Sequence, residues 1–265
     1  MKKKNYFLTV GLILTAVMIL LILVGYFWTP YSPMAMDGTA LSQRPSFAHL
    51  MGTDKFGRDI FSRVLKGAGA TFFVAFGTVV IGTAVGTLVG ALTGYFGGWV
   101  DEVLMRLNDA LSAFPSFLLA LVLISVLGPG RYHLMLALGI VFIPSYARIV
   151  RSEFARARSQ NYVKSAQLMG ASVPRILFVH ILPNIWQVLL SAITIGFNNA
   201  VLSEAAMSYL NIGVSPDDAS LGYMLSDSQT YLASSPWYAM CTGLMIVLLI
   251  LGVGLIGEGL QRREL

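Results

Sequence analysis

Residues 161–184 read NYVKSAQLMGASVPRILFVHILPN, a polar interruption between two long apolar runs. The stretch carries Lys164, Gln167, Arg175 and His180, and it follows a basic run of Arg148, Arg151, Arg156 and Arg158. That much charge is too costly to place in hydrocarbon, so the segment lies in water on one side of a bilayer that the flanking runs cross. At helical spacing Val163, Ala166, Leu168 and Met169 make a partial apolar face. Gly170 then permits a sharp reversal, and Ile176, Leu177 and Ile181 resume an apolar stripe up to Pro183. The pattern predicts a short helix, a turn, a second short helix and a break at Pro183. Helices this short are unstable alone in water, so the segment is expected to rest on another surface.

Composition sets the class around this segment. Apolar residues make up 56% of the chain and charged residues 12%, and several uninterrupted apolar runs approach the roughly 20 residues that cross a bilayer as a helix. The expected fold is an all-α membrane protein with six transmembrane helices. Its first run, 7–27, follows Lys2, Lys3 and Lys4. This run exceeds the roughly 7 to 15 residues of a cleaved signal core and ends at Trp28, an interfacial residue type, so it reads as an uncleaved first span. The second span is expected at 71–95, the third after the turn in 94–115, and the fourth ending near Val150. The fifth is expected at about 185–210 and the last at 237–256.

Six crossings return the chain to the side on which it began, so both termini are expected in the cytoplasm. Twelve Lys and Arg residues then fall inside against six outside, although five of the outer ones cluster between Arg44 and Lys66. The expected division is a first helix at 1–28, an extracytoplasmic loop with an amphipathic surface helix at 29–70, and a core of five spans at 71–265. That core includes a cytoplasmic loop at 151–184. In the outer loop Phe56, Ile60, Phe61, Val64 and Leu65 share one face, opposite Lys55, Arg58, Asp59, Ser62 and Arg63, and Asp54 is placed to cap the helix they would form.

Within the spans, Gly82, Gly86, Gly90 and Gly94 recur every fourth residue and offer a face for close helix approach, inside this chain or against a second subunit. Glu102, Arg106 and Asp109 are spaced to pair along one helical face, as a structural ion pair or as part of an inner gate. Asn198, Asn199 and Glu204 fall inside the fifth run. Polar groups at that depth face protein or water, which makes them candidates for lining a translocation path or for an interhelical hydrogen-bond network.

Several chemistries lack their residues. There is no GxxxxGK[ST] phosphate loop, no HExxH helix, no CxxC pair and no GxSxG turn, and His49, His133 and His180 are far apart. Asp54 and Asp59 have no His or Glu at ligand spacing, and Asp217 and Asp218 are not followed by the spaced acids of a calcium loop. Cys241 has no partner and reads as a packing residue. Arginines do not alternate with aromatics in any long polar segment, so no nucleic-acid platform is expected. Neither catalysis nor a metal or cofactor is expected on this chain.

These segments resemble the permease subunits of binding-protein-dependent ABC importers, in the dipeptide, oligopeptide and nickel branch. Tyr162, Val163, Gly170, Ala171 and Ser172, then His180, Ile181, Leu182, Pro183 and Asn184, match that branch's coupling segment. Lys164 and Ser165 replace the Glu and first Ala of the wider family's triplet, and Ala166 keeps its last residue. Further matches are Gly52, Thr53, Asp54, Gly57, Arg58, Asp59, Ser62, Arg63 and Gly67, the Gly97–Gly98–Trp99 turn, and the Glu204 to Pro216 segment.

The resemblance implies a type I importer permease fold, multi-pass in a bacterial cytoplasmic membrane. It implies a second related permease, two cytoplasmic ATPases holding ATP and Mg, and an extracytoplasmic substrate-binding protein as partners. It also implies that ATPase closure pushes on Tyr162, Val163, Ala166, Leu168, Gly170 and Ala171, with Pro183 relaying the shift and Ala166 and Leu168 entering the ATPase groove. The implied cargo is a di- or oligopeptide, with nickel or a metal chelate as the alternative. A stand-alone secondary transporter would instead show internal repeats and paired broken helices, which the sequence does not display convincingly.

Overall fold

The apolar runs become helices because lipid offers backbone N–H and C=O groups no partner except one another. The computed structural model describes residues 6–214 and 219–262. Lys2, Lys3, Lys4, Asp217, Asp218 and Arg263 therefore lie outside the described residues. In order come α1 (Tyr6–Phe27), α2 (Ile60–Phe96), α3 (Gly98–Ser112), α4 (Ser116–Leu127) and α5 (Arg131–Arg158). Next is the short α6 (Asn161–Leu168), then one helical stretch, Val173–Tyr209. That stretch joins α7 (Val173–Arg175), a π-helical turn (Ile176–Ile181), a 3-10 turn (Leu182–Ile185) and α8 (Trp186–Tyr209). Last are α9 (Leu221–Gln229) and α10 (Pro236–Gln261). Among the described residues five stretches are long and apolar enough to cross a membrane, and α3 with α4 makes a sixth when that bent pair counts as one span.

The third span departs from a simple helix. Its halves meet at 87°, at Pro115, whose φ of −53° and ψ of 127° leave the helical region. Proline has no N–H to donate and disfavours helix in the residue before it, so α3 ends at Ser112 and α4 starts afresh. With 12 residues, α4 is about 18 Å long, well short of a bilayer core.

The surface helix expected in 54–66 is replaced by a turn and the opening turns of α2. Gly57 has a φ of 75°, which no helix accommodates, and Asp54 Oδ1 accepts from the N–H groups of Phe56 and Arg58 at 2.9 and 3.0 Å. The N-cap is Asp59, whose carboxylate accepts from Ser62 N–H at 2.8 Å. From there α2 runs unbroken for 37 residues, so the expected boundary at 70 falls inside it.

The glycine ladder packs within the chain. A Cβ at Gly86 would stand 2.6 Å from Tyr146 Cβ, one at Gly90 2.6 Å from the Ala147 carbonyl, and one at Gly94 2.7 Å from Phe154 Cβ. Contacts therefore climb α2 and α5 together, and the two helices run parallel with their backbones almost touching. Parallel spans require an intervening crossing, which the α3–α4 pair supplies. α1 lies antiparallel to α10, with Gly259 against Leu8 and Gly252 against Thr15. Both described chain ends therefore sit at one end of the bundle, where the Arg262 guanidinium stacks 4.1 Å from the Phe7 ring centroid. The 29–59 loop and α9 cover the opposite end.

Candidate functional site

The segment at 161–184 sits at the end of the bundle that holds both described chain ends. Val163 and Ala166 of α6 are buried in a cluster with Tyr95 at the foot of α2, Phe154 and Ala157 at the foot of α5, and Ile176, Leu177 and Ile181. Gln167 Nε2 adds a hydrogen bond to Tyr95 Oη at 3.1 Å. The expectation that Ala166 enters a partner's groove is therefore corrected: at 2% exposure it fills the chain's own core, as Val163 does at 0%. Leu168 and Met169, at 89% and 81% exposure, carry the outward apolar surface, with Tyr162 half-exposed beside them. Burial pushes the Tyr162 phenol up from its ordinary value, and Asn184 and Arg156 act in the opposite direction.

Gly170 closes α6 in a left-handed cap. Its φ is 77°; its N–H donates to the Gln167 carbonyl, and Ala171 N–H donates to the Ala166 carbonyl, both at 3.0 Å. That pair of bonds is a Schellman motif, in which the positive φ favours glycine because a Cβ would meet its own carbonyl. Nothing stands within 4 Å of where the Cβ would be, so the backbone angle and not crowding selects glycine here.

Pro183 does not break the chain into two helices as its position predicted. The helix accommodates it by widening: Leu182 N–H donates to Leu177, the fifth residue back, and the preceding turn is π-helical. A π turn moves carbonyls away from the proline ring and leaves the stretch continuous. The exposed Pro183 thus sits on an unbroken rod from Val173 to Tyr209.

Asn198, Asn199 and Glu204 of α8 go to three different places. Asn199 is exposed and lines an open cleft with Ser116, Ser145 and Ser203, walled by Phe142 and Met207. Asn198 turns toward α10, its Nδ2 beside Gly254, and its Oδ1 is buried without a hydrogen-bond partner among the described residues. Glu204 is 0% exposed and accepts from Ser208 Oγ at 2.7 Å, so of its two expected roles the buried position suits a hydrogen-bond network inside the bundle. It points into the bundle near Thr71, whose hydroxyl accepts from Leu221 N–H at 3.3 Å. The three serines of the cleft were not singled out in the sequence, because single serines in apolar runs carry no periodic signal.

The ions of α3 also divide. Arg106 pairs with Glu102 at 2.8 Å as its spacing predicted, with both side chains exposed. Asp109 instead reaches Arg148 of α5 at 3.2 Å, and Arg151 grips both carboxylate oxygens of Asp101 at 2.5 and 2.6 Å. These bridges staple α3 to α5 in a register that spacing along one helix does not encode.

At the far end, the GTDxxGRD element builds a buried ionic knot. Asp54 Oδ2 takes Arg58 Nε at 2.6 Å and lies 3.9 Å from Arg63 Nε, while Asp227 of α9 takes Lys55 at 2.9 Å and Arg58 at 3.5 Å. His49 Nδ1 lies 2.9 Å from Asp59 Oδ1. Desolvation works against the charge on Lys55, but the hydrogen bonds and charges of Asp227 and Tyr231 outweigh it and hold its ammonium above the ordinary lysine value. The knot binds the loop to α9 and so covers this end of the bundle.

Residues 86–264 match the family described as "Binding-protein-dependent transport system inner membrane component". The chain is 37% identical over 263 residues to the dipeptide transport system permease protein DppC of Alkalihalophilus pseudofirmus, covering 98% of this chain and 85% of that protein. It is 35% identical to DppC of Haemophilus influenzae, covering 98% and 90%. It is 39% identical to the glutathione transport system permease protein GsiD of Escherichia coli, covering 92% and 82%. In fold it resembles a chain of the MetNI methionine ABC transporter, with a TM-score of 0.62 at 17% identity over 76% of this chain and 95% of that one. The matched family, the relatives and the bundle agree, and the chain belongs to the multi-pass inner-membrane permeases of binding-protein-dependent ABC importers.

Proposed function

We propose that this chain forms one half of the translocation path for peptides in an ATP-driven importer. It pairs with a second, related permease; two ATPases bind on the side of α6 and supply the ATP and Mg chemistry, and a substrate-binding protein delivers cargo on the side of the 29–59 loop. The relatives named for dipeptide and glutathione transport support a peptide cargo. Both termini and α6 face the cytoplasm, in keeping with the Lys and Arg bias.

The observation that carries the coupling role is the division of α6. One face is locked into the feet of α2 and α5, and the other leaves Leu168 and Met169 in water. A short helix gripped from behind with large apolar residues in front suits a partner's groove. Closure of the ATPases would move α6, and the continuous rod from Val173 to Tyr209 would carry the motion into the serine-lined cleft at Asn199.

The test is a Leu168→Cys variant in a cysteine-free chain, co-expressed with the adjacent transport genes. Crosslinking to a co-purifying ATPase, with ATP-dependent peptide uptake in proteoliposomes, is the expected result. Uptake by the purified chain alone, or a crosslink only to the extracytoplasmic binding protein, would overturn the reading.

A further inference from the structure

A groove between α1, α2 and the start of α5 combines an apolar floor with a cationic mouth. Leu65, Gly69, Phe72, Phe73 and Phe76 of α2 fall on one helical stripe, and Ile22 of α1 faces them. Lys66 and Arg131 stand in the same groove. Each leans on a tyrosine ring, Lys66 on Tyr26 at 5.4 Å and Arg131 on Tyr132 at 5.2 Å. Neither has a carboxylate within ion-pairing distance among the described residues.

The composition of this groove is unusual for a helix flank in lipid. Plain lipid contact needs only apolar side chains, whereas two cations at its rim, neither paired with a carboxylate among the described residues, draw an anionic group toward them. Tyrosines mark the depth as interfacial, where phospholipid headgroups lie. Gly69 leaves the floor open, since a Cβ there would meet nothing closer than Ile22 at 3.6 Å. Apolar length below and paired positive charge above, at headgroup depth, complement one molecule class. We propose that this groove is a binding site for an anionic phospholipid, with its phosphate between Lys66 and Arg131 and an acyl chain along Phe72, Phe73 and Phe76.

Native mass spectrometry of the assembled transporter, released from nanodiscs of dimyristoyl-phosphatidylglycerol or dimyristoyl-phosphatidylcholine, tests this. The wild type should retain phosphatidylglycerol in preference to phosphatidylcholine. Lys66→Gln and Arg131→Gln should each weaken that retention about fivefold, while the charge-keeping Lys66→Arg should not. Gly69→Leu, which fills the floor with both cations intact, should also expel the lipid, and millimolar inorganic phosphate should not. Equal retention of the two lipids, or unchanged retention in both the Lys66→Gln, Arg131→Gln double variant and Gly69→Leu, would overturn the proposal. So would displacement by phosphate, which indicates a free-anion site, or a photocrosslinker at Phe73 that captures a second permease in place of lipid.

Discussion

Gln167 Nε2 donates a hydrogen bond to Tyr95 Oη at 3.1 Å, fastening α6 to the last turn of α2. Because α2 is itself pressed backbone to backbone on α5 through Gly86, Gly90 and Gly94, α6 is the tip of a stiff three-helix unit. Under the proposed coupling, a push on its outer face would move that unit as a body, since packed cores shift between discrete arrangements and do not deform smoothly.

The two faces of α6 should answer mutation differently. Leu168→Asp leaves the core untouched, so the protein should insert and keep its thermal midpoint while ATP-dependent uptake falls at least tenfold. Ala166→Leu overfills a closed site and should cost about 1–3 kcal/mol of stability, read as a lowered midpoint in detergent. Full uptake by Leu168→Asp would remove the residue from the contact.

Gly170 should discriminate by backbone preference and not by size. Gly170→Asn, a residue that tolerates left-handed angles, should keep most stability and uptake. Gly170→Val should lose both, with about 1–2 kcal/mol of strain at a φ of 77°. Equal behaviour of the two in thermal melts would show that the cap does not hold α6.

Close approach of α2 and α5 predicts a sharp contrast between glycines. Gly90→Leu places a side chain where the Ala147 carbonyl and Val150 already stand, and should prevent recovery of monodisperse protein. Gly243→Leu on α10 has open space within 4 Å of the new Cβ and should be recovered at wild-type yield. Size-exclusion profiles of both variants check this.

Removing the centre of the ionic knot should be severe. Asp54→Asn leaves the buried guanidinium groups of Arg58 and Arg63 short of a counter-charge, and breaking a buried pair from one side costs about 3–5 kcal/mol. The expected signature is protease sensitivity of the 29–59 loop before the spans unfold. A wild-type digestion pattern would show the knot to be dispensable.

Ion pairs along α3 should rank by burial and geometry. Arg106→Ala removes a fully solvated pair and should fall within about 0.5 kcal/mol of wild type. Arg151→Ala breaks a two-pronged, partly shielded grip on Asp101 and should cost about 1 kcal/mol or more. A double-mutant cycle between Arg151 and Asp101 measures the coupling, and additivity would mean that the bridge contributes nothing.

Much was legible in one dimension. The run lengths gave the crossings, the charge of 161–184 kept that segment in water, and the repeat of Gly82, Gly86, Gly90 and Gly94 announced a close helix contact. Each follows from a local cost, of desolvating a charge or of placing a Cβ, which the residue carries wherever the chain goes. Gly170 was readable for the same reason, since its left-handed angle belongs to its own backbone.

What the sequence left open was direction. Only the tertiary structure turned Ala166 inward and Leu168 outward, gave Asp109 to Arg148, sent Glu204 into the bundle, and let the helix absorb Pro183 through a π turn. A span in lipid is apolar on its outer face as well as its inner one, so the periodic contrast that marks the core side of a soluble helix is erased, and α6 likewise carries apolar residues on both its buried and its exposed face. The facing of each span is then decided by which other helix it meets, and that choice exists only when the chain is folded in three dimensions.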